Sequence, residues 1–157
     1  METSVSDVFA AGDVCTVQWK HESQTWHQMR LWTQARQMGF YAAQVVASKF
    51  HPEINRQLFF NFETFTHVTY FFGFKVILLG LFNQQKLEGG CHVQIRVEEG
   101  KSFIKVILKD GKVKGVTLIG DTDMEETFEN LIISQMDVTT IQDHLLEATV
   151  DLDDYFD

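Results

Sequence analysis

"SFIKVILKDGKVKGVTLIG" (Ser102 to Gly120) contains two apolar runs that are separated by one tight-turn signal. Each run has the length and composition of a short β-strand. Between the runs lies Asp110-Gly111, a dipeptide whose residues accept the positive φ angles of a tight hairpin turn. The stretch therefore predicts two adjacent antiparallel strands.

Similar runs precede this hairpin along the chain. They are HVQIRV, from His92 to Val97, and FKVILLGLF, from Phe74 to Phe82. Glu99-Gly100 supplies a turn between HVQIRV and the strand that follows it. We therefore expect HVQIRV and the two runs of the hairpin to form an antiparallel meander.

A helix is predicted directly after the meander, in the segment TDMEETFENLII. Thr122 is the expected N-cap, and Glu125 is its expected capping-box partner. The apolar residues that share one helical face are Met124, Phe128, Leu131 and Ile132. The second half of the chain is therefore predicted to be a small α+β domain with a meander and a packing helix.

Composition restricts the class of protein. The chain has 157 residues, of which 45% are hydrophobic and 13% aromatic, as in a globular protein. Acidic residues outnumber basic ones by 22 to 13, and the net charge of −9 disfavours binding to nucleic acid or to an anionic membrane. Cys15 and Cys91 are far apart, and no targeting or membrane-spanning segment is visible, so we expect a cytoplasmic or nuclear location.

Near the start of the chain, VFAAGDVCT (Val8 to Thr16) predicts an apolar strand that runs into Gly12-Asp13. At the carboxyl end of a strand, a glycine lets a ligand approach the backbone, and an aspartate can bind a sugar or ribitol hydroxyl. The same pair is common in ordinary turns. Both interpretations stay open from these residues alone.

The next pattern, LWTQARQMGFYAAQVVA (Leu31 to Ala47), predicts a helix. Trp32, Ala35 and Gly39 follow the spacing W-x-x-A-x-x-x-G, and the small residues allow close packing on a sheet or a cofactor. The start of such a helix offers N–H donors and a partial positive charge. A plain buried helix could use small residues in the same way.

Taken in order, the two patterns resemble a known family. Thr3, four variable residues and then VFAAGD resemble the second flavin fingerprint of pyridine nucleotide-disulfide oxidoreductases. The spacing from Trp32 to Gly39 resembles the helix that these flavoproteins place against the flavin pyrimidine ring. The resemblance to the carboxy-terminal part of such an enzyme extends over essentially all 157 residues, including HVTYFFGFKVILLG and DLDDYFD.

The resemblance implies FAD as the cofactor and NAD(P)H as the co-substrate of the complete protein. It implies that Gly12, Asp13 and Trp32 bind the cofactor, with the Trp32 N–H donating to the flavin O2 edge. The implied fold is the terminal strand and helix of an FAD-binding α/β domain, followed by the small α+β domain. The expected boundaries are 1–50 for the first part, 51–61 for a linker, 62–148 for the α+β domain and 149–157 for an acidic tail.

Other family features are missing from the sequence. It has no GxGxxG turn for FAD or NAD(P)H and no redox cysteine pair separated by two or four residues. We therefore expect a fragment or short isoform that has no catalytic residue and no turnover by itself. One interpretation is the flavin-facing part of a redox enzyme, and the alternative is a non-catalytic interaction module.

Three further patterns give expectations of their own. The six histidines lack metal-ligand spacing, so no metal site is expected, and the aromatic run from Phe59 to Phe74 is expected to pack in the core. The acidic, aromatic tail is either a solvated end or a docking segment for a protein with a basic or metal-containing pocket. The residues expected to contact that partner are Asp151, Asp153, Asp154, Tyr155, Phe156 and Asp157.

Overall fold

The chain divides into two compact units. The computed structural model describes residues 1–19 and 23–147, so the predicted tail at 149–157 lies outside the described residues. The first unit consists of Met1–Ser23 and Gln28–Glu63, and the second of Gln24–His27 and the residues from Thr64 onward. Residues 51–61 are therefore part of the first unit.

The second unit is built on a five-stranded antiparallel sheet. The strands are β1 (Thr66–Phe71), β2 (Phe74–Gly80), β3 (His92–Glu98), β4 (Ser102–Lys109) and β5 (Lys112–Gly120). Their order across the sheet is β1-β2-β5-β4-β3, so β3, β4 and β5 form a meander that β2 joins through β5. Helix α2 (Glu125–Ser134) packs on the sheet. The predicted α+β class with a meander and a packing helix is confirmed.

Local turn chemistry connects the strands of the meander. Asp110 and Gly111 both have positive φ, +52° and +70°, as a tight two-residue turn requires. β4 and β5 match the predicted runs residue for residue. β2 ends at Gly80 rather than Phe82, because the chain leaves the sheet there.

The core of the second unit lies between one face of the sheet and α2. Successive side chains of a strand point to opposite faces, and one set of alternate residues contacts the helix. Burying each large aliphatic side chain contributes about 1.5–3 kcal/mol relative to leaving it exposed. The predicted helical face is confirmed by the buried residues Phe128, Leu131 and Ile132, against which Met124 packs partly buried.

The predicted capping box at the start of α2 is wrong. The helix begins at Glu125, its N-cap is Met124, and no side chain caps it. Thr122 lies two residues before the N-cap, where its backbone carbonyl accepts a hydrogen bond from the Glu125 N–H at 3.0 Å. A backbone turn therefore takes the place of the side-chain cap.

The aromatic run contributes to the core only in part. Phe62 and Phe65 are buried, whereas the exposed aromatic residues of the run are Phe60, Tyr70, Phe71, Phe72 and Phe74. The expectation of core packing is wrong for these five residues. Four of them, from Tyr70 to Phe74, lie at the turn of a β1–β2 hairpin that the sequence did not predict.

The first unit contains one long helix, α1 (Trp32–Phe50). A short antiparallel pairing joins residues at the start of the chain. Phe9 forms a single antiparallel bridge with Glu2, and the Thr3 N–H donates to the Val8 carbonyl at 2.8 Å. The predicted strand at 8–11 is therefore reduced to one bridge, because Glu2 is the only described residue that pairs with it in this way.

Lys49, in the last turn of α1, forms ion pairs with this amino-terminal stretch. Its Nζ lies 3.0 Å from Glu2 Oε1 and 2.5 Å from Asp7 Oδ1. The same ammonium lies 5.0 Å from the centroid of the Phe9 ring. These contacts hold the amino-terminal stretch beside the end of the helix.

His27 is a buried polar residue of the second unit. It is 6% exposed, and its ring stacks on Phe65 at a centroid distance of 4.2 Å. Its Nε2 lies 3.3 Å from the amide nitrogen of Gln85. Burial, with a smaller contribution from the charge of Lys86, lowers the pKa of His27 from 6.5 to about 4.

We predict that the free energy of unfolding falls as the pH decreases from 6.5 toward 4. In that range the unfolded chain binds a proton at His27 that the folded chain does not bind, so stability is lost as the pH falls. At about pH 5 the expected loss is about 2 kcal/mol, since one pKa unit corresponds to about 1.4 kcal/mol. Urea unfolding near pH 7 and pH 5 measures this difference.

Two variants test the assignment to His27. His27→Gln removes the buried imidazole and should reduce the pH dependence, and His51→Gln, which removes an exposed histidine, is the matched control. A pH dependence that survives in full in His27→Gln would contradict the assignment.

Candidate functional site

Gly12 is the point at which the two sequence patterns of the first unit meet. It opens a 3-10 turn, Gly12–Val14, with a φ of +81°, and it is buried. A Cβ atom on Gly12 would lie 2.9 Å from the Ala35 Cβ, closer than real Cβ contacts. Glycine is therefore required here both by the left-handed backbone and by the contact with the first turn of α1.

The amino end of α1 lies beside this turn. Trp32 is the first helical residue, and the N-cap Leu31 offers no side-chain hydrogen bond. The Ala35 N–H donates to the Leu31 carbonyl at 2.9 Å. The Trp32 and Thr33 N–H groups precede this first helical hydrogen bond, where the helix supplies no acceptor. Because the first turn has no acidic residue, the partial positive charge of the helix end can act on a polar or anionic ligand.

Gln34 supports the entry into α1 from inside the unit. It is buried, and its side-chain oxygen accepts a hydrogen bond from the Met29 N–H at 2.8 Å. This role was not predicted from the sequence. The one available signal is that Gln34 lies one turn before Met38, another buried residue on the same helical face.

A second glutamine, Gln28, holds the segment that follows the turn. Its amide nitrogen donates to the Cys15 carbonyl at 2.9 Å, and its oxygen accepts from the Val17 N–H at 3.0 Å. The Cys15 Sγ in turn donates to the Gly12 carbonyl at 3.4 Å. Sequence spacing gave no signal for Gln28, because its partners are backbone groups of a distant segment.

The Asp13 carboxylate is exposed next to the buried Gly12. Within the described ranges 1–19 and 23–147, no hydrogen bond or ion pair reaches this carboxylate. The Arg30 Nε donates instead to the backbone carbonyl of Asp13, at 3.4 Å. An ionised carboxylate only accepts hydrogen bonds, so Asp13 is suited to bind a hydroxyl group of a ligand.

The Trp32 side chain is also open to solvent. It is 74% exposed, and the Arg36 guanidinium carbon lies 5.8 Å from the centroid of its ring. Gly39 lies further along α1, and a Cβ added to it would meet no atom within 4 Å. The structure thus brings Gly12 and Ala35 together, but it leaves Trp32 and Gly39 without close packing.

A groove of about 260 Å³ adjoins the amino end of α1. It combines three aromatic side chains with a cation and with polar groups. The lining residues are Trp32, Thr33, Arg36, Gln37, Phe40, Phe59 and Asn61. Such a groove can hold a flat or elongated ligand against aromatic faces.

The described part of the chain, residues 1–19 and 23–147, contains neither a metal-binding cluster nor a membrane-spanning helix. Among those residues, no group of three or more His, Cys, Asp or Glu side chains could hold a metal ion. No helix there has the length and apolar character needed to cross a membrane.

The whole chain is similar to proteins named pyridine nucleotide-disulfide oxidoreductase domain-containing protein 1. It is 49% identical to the Mus musculus protein over 159 residues and 48% identical to the Homo sapiens protein over 157 residues. It is 52% identical to the Danio rerio protein over 157 residues. These comparisons confirm the resemblance that the sequence motifs indicated.

The similarity covers different shares of the proteins compared. Each alignment includes 100% of this chain but only 31% of the mouse and human proteins and 32% of the zebrafish protein. The chain thus spans about a third of the length of these relatives, consistent with a carboxy-terminal part of them. No family model matches the chain.

We predict that Gly12→Ala destabilises the first unit by about 1–3 kcal/mol, because it forces an unfavourable φ and a clash with Ala35. The double variant Gly12→Ala/Ala35→Gly removes the clash but keeps the unfavourable φ and adds the helix cost of a glycine, about 1 kcal/mol, so it should recover at most part of the loss that is due to the clash. Gly39→Ala is the control, since its new methyl group meets no neighbour and alanine favours the helix, so it should not lower protection. Hydrogen exchange of the α1 amides measures the effect, and equal protection in Gly12→Ala and Gly39→Ala would contradict the prediction.

Proposed function

We propose that this chain, homologous over its whole length to part of pyridine nucleotide-disulfide oxidoreductase domain-containing proteins, forms the flavin-facing edge of an FAD-dependent NAD(P)H oxidoreductase. The observation that carries the proposal is the contact between Gly12 and Ala35. Because of this contact, Asp13 and the amino end of α1 lie at one corner of the first unit. A flavin site uses both a hydroxyl acceptor and N–H donors.

The residues present at this corner fit a flavin in their chemistry. The Asp13 carboxylate can accept a hydrogen bond from a ribitol hydroxyl, a charge-assisted contact. The uncapped N–H groups at the start of α1, that of Trp32 included, can donate to a carbonyl oxygen. Gly12 keeps the backbone free of a side chain where the turn packs on the helix.

These groups would act by binding and orienting the cofactor. Gly12, Asp13 and the amino end of α1 would hold the FAD, which would supply hydride and electron transfer between NAD(P)H and an oxidant or disulfide. The partial positive charge at the start of α1 stabilises negative charge close to it. Asp13 fixes the position of the ligand through its hydroxyl partner, and the exposed Trp32 ring offers an aromatic surface beside it.

The proposed activity belongs to the longer protein rather than to this chain alone. The glycine-rich turns that bind FAD phosphates and NAD(P)H are absent from this sequence. The chain is therefore proposed to supply one wall of the site, in a protein of the cytoplasm or nucleus, while other parts hold the phosphates and the co-substrate.

A second function, protein docking through the acidic tail, is favoured by the tail sequence. VDLDDYFD, from Val150 to Asp157, places Tyr155-Phe156 among four aspartates. Carboxylates can bind Lys, Arg or a metal ion in a partner, and the two rings can fill an apolar pocket. In this alternative the chain acts as a non-catalytic interaction module.

We predict that Asp13→Ala weakens FAD retention about ten-fold or more, since a charge-assisted hydrogen bond contributes about 1.5–3 kcal/mol. The substitution is made in a chimera in which this chain replaces the matching part of the mouse relative. Flavin absorbance after exhaustive dialysis measures the amount of FAD that remains bound.

Two variants control this experiment. Asp123→Ala removes an exposed aspartate of the second unit and should leave the flavin content unchanged. Asp13→Asn keeps the size of the side chain and should weaken retention nearly as much as Asp13→Ala. Equal flavin content in Asp13→Ala and the parent chimera would count against the flavin site.

We predict that deletion of residues 151–157 leaves the fold intact but weakens association with a protein partner, more strongly at low salt than at moderate salt. Circular dichroism tests the fold, and pull-downs with intact and truncated chains test association. Equal recovery with both chains at both salt concentrations would remove the tail from the functional account.

A further inference from the structure

Aromatic side chains are concentrated at the turn of the β1–β2 hairpin in the second unit. The segment YFFGF, from Tyr70 to Phe74, forms the end of this hairpin, and we name it the aromatic tip. Tyr70 is 72% exposed, Phe71 66%, Phe72 86% and Phe74 42%. Four large aromatic side chains therefore face solvent on a few consecutive residues.

The backbone conformation of the aromatic tip is unfavourable for Phe72, its most exposed residue. Phe72 and Gly73 are the central residues of the turn, and their φ angles are +49° and +84°. Asn, Asp and Gly accept such angles, whereas a bulky residue with a Cβ is strained there. The same sheet has a comparable turn at Asp110-Gly111, with an aspartate in the strained position.

Neither burial nor backbone preference explains Phe72. Exposure gives no hydrophobic stabilisation to its ring, and the φ angle would be satisfied better by asparagine. Unfavourable local choices of this kind are retained where a site has a function. A contact of the Phe72 ring with another molecule accounts for both its exposure and its φ angle.

The aromatic tip is ordered by the hairpin that carries it. Phe71 and Phe74 are partners in the antiparallel register, and Tyr70 is paired with Lys75. The Phe71 and Phe72 rings contact edge to face, with centroids 4.5 Å apart and an interplanar angle of 77°. A preformed ring cluster loses little conformational entropy on binding.

The charges beside the aromatic tip are acidic. Lys75, the only Lys or Arg within residues 64–82, lies 3.1 Å from the Glu125 carboxylate of α2. The helix and the loop before it carry five acidic residues and no Lys or Arg, namely Asp121, Asp123, Glu125, Glu126 and Glu129. Asp121 lies 3.8 Å from the Lys101 Nζ, and Glu129 accepts a hydrogen bond from Thr66 at the end of β1 away from the turn. The remaining acidic residues of this segment are Asp123 and Glu126.

We propose that the aromatic tip docks into an apolar pocket of a protein partner whose rim carries Lys or Arg residues. The rings of Phe71 and Phe72 fill the pocket, and the acidic side of α2 faces the basic rim. Large aromatic residues buried at the centre of an interface contribute most of the binding free energy, and complementary charge speeds association. This docking surface consists of residues other than those proposed for the flavin site and for the tail.

Charge selects this partner over two others. An anionic lipid surface is disfavoured by the net charge of −9, and Lys75, the basic residue within 64–82, is already paired with Glu125. A second copy of this chain would bring two acidic helices together, which like charges oppose. A protein surface with an apolar pocket and a basic rim can bury the rings and form ion pairs with the carboxylates.

Photocrosslinking in living cells tests the proposal, with Phe72 replaced by a photoreactive phenylalanine analogue in the otherwise full chain. Mass spectrometry identifies the crosslinked peptide, and the crosslinked protein is then purified and titrated against the wild-type chain. The expected crosslink lies in an apolar pocket flanked by Lys or Arg, and the expected binding weakens as salt increases.

Phe72→Asn separates docking from folding. It should raise the melting temperature by a few degrees, because it relieves the strained φ, and weaken binding to the purified partner ten-fold or more. Val97→Ser, which removes an exposed apolar side chain from β3 at the other edge of the sheet, should leave binding unchanged. All variants keep Gly12, Asp13 and the tail, so failure of the other proposals does not alter this readout.

Several results would overturn the proposal. They are a crosslink confined to a second copy of the chain, binding to vesicles of phosphatidylcholine and phosphatidylserine that Phe72→Asn abolishes, or no crosslinked protein. A lower melting temperature in Phe72→Asn would assign the ring a structural role instead. Equal binding of Phe72→Asn and the wild-type chain to the purified partner would also exclude the aromatic tip as a docking surface.

Discussion

The hydrogen-bonded register of β5 is the constraint on which the second unit depends. β5 pairs with β4 on one side and with β2 on the other, so that Val116 lies opposite both Val106 and Leu79. A shift by one residue would move every apolar side chain of β5 to the other face of the sheet. The Asp110-Gly111 turn sets the pairing of the residues next to it, and a register shift between Ile107 and Leu108 then places Val116 opposite Val106. β2 pairs with β5 in the resulting register.

Sequence predicted those parts of the fold that local chemistry determines. The turn residues and the apolar runs were sufficient for β3, β4 and β5, because each connection is short and each strand pairs with the next. β1 was missed because its exposed aromatic residues look like core residues when only composition is considered. The start of α2 was misplaced because a backbone turn at Thr122 replaced the expected side-chain cap.

The candidate site was predicted in its residues but not in its contacts. Spacing alone indicated the Gly12-Asp13 turn and a helix starting near Trp32, and the comparisons confirm the family resemblance that these motifs indicated. The packing of Gly12 on Ala35 and the support from Gln28 and Gln34 are tertiary, so no linear pattern could supply them. The role of Asp13 and Trp32 toward a flavin stays a prediction.

Lys49 restricts the motion of the amino-terminal stretch relative to α1. The residues before Gly12 are attached to the last turn of α1 through Lys49, and Gly12 itself is packed on the first turn. Helix α1 has 19 residues and is therefore about 28 Å long, so one short stretch braces it at both ends. Asp13 consequently cannot move far from the helix start unless the Gly12 packing or the Lys49 ion pairs break. The amino-terminal stretch and α1 therefore move together as one rigid body.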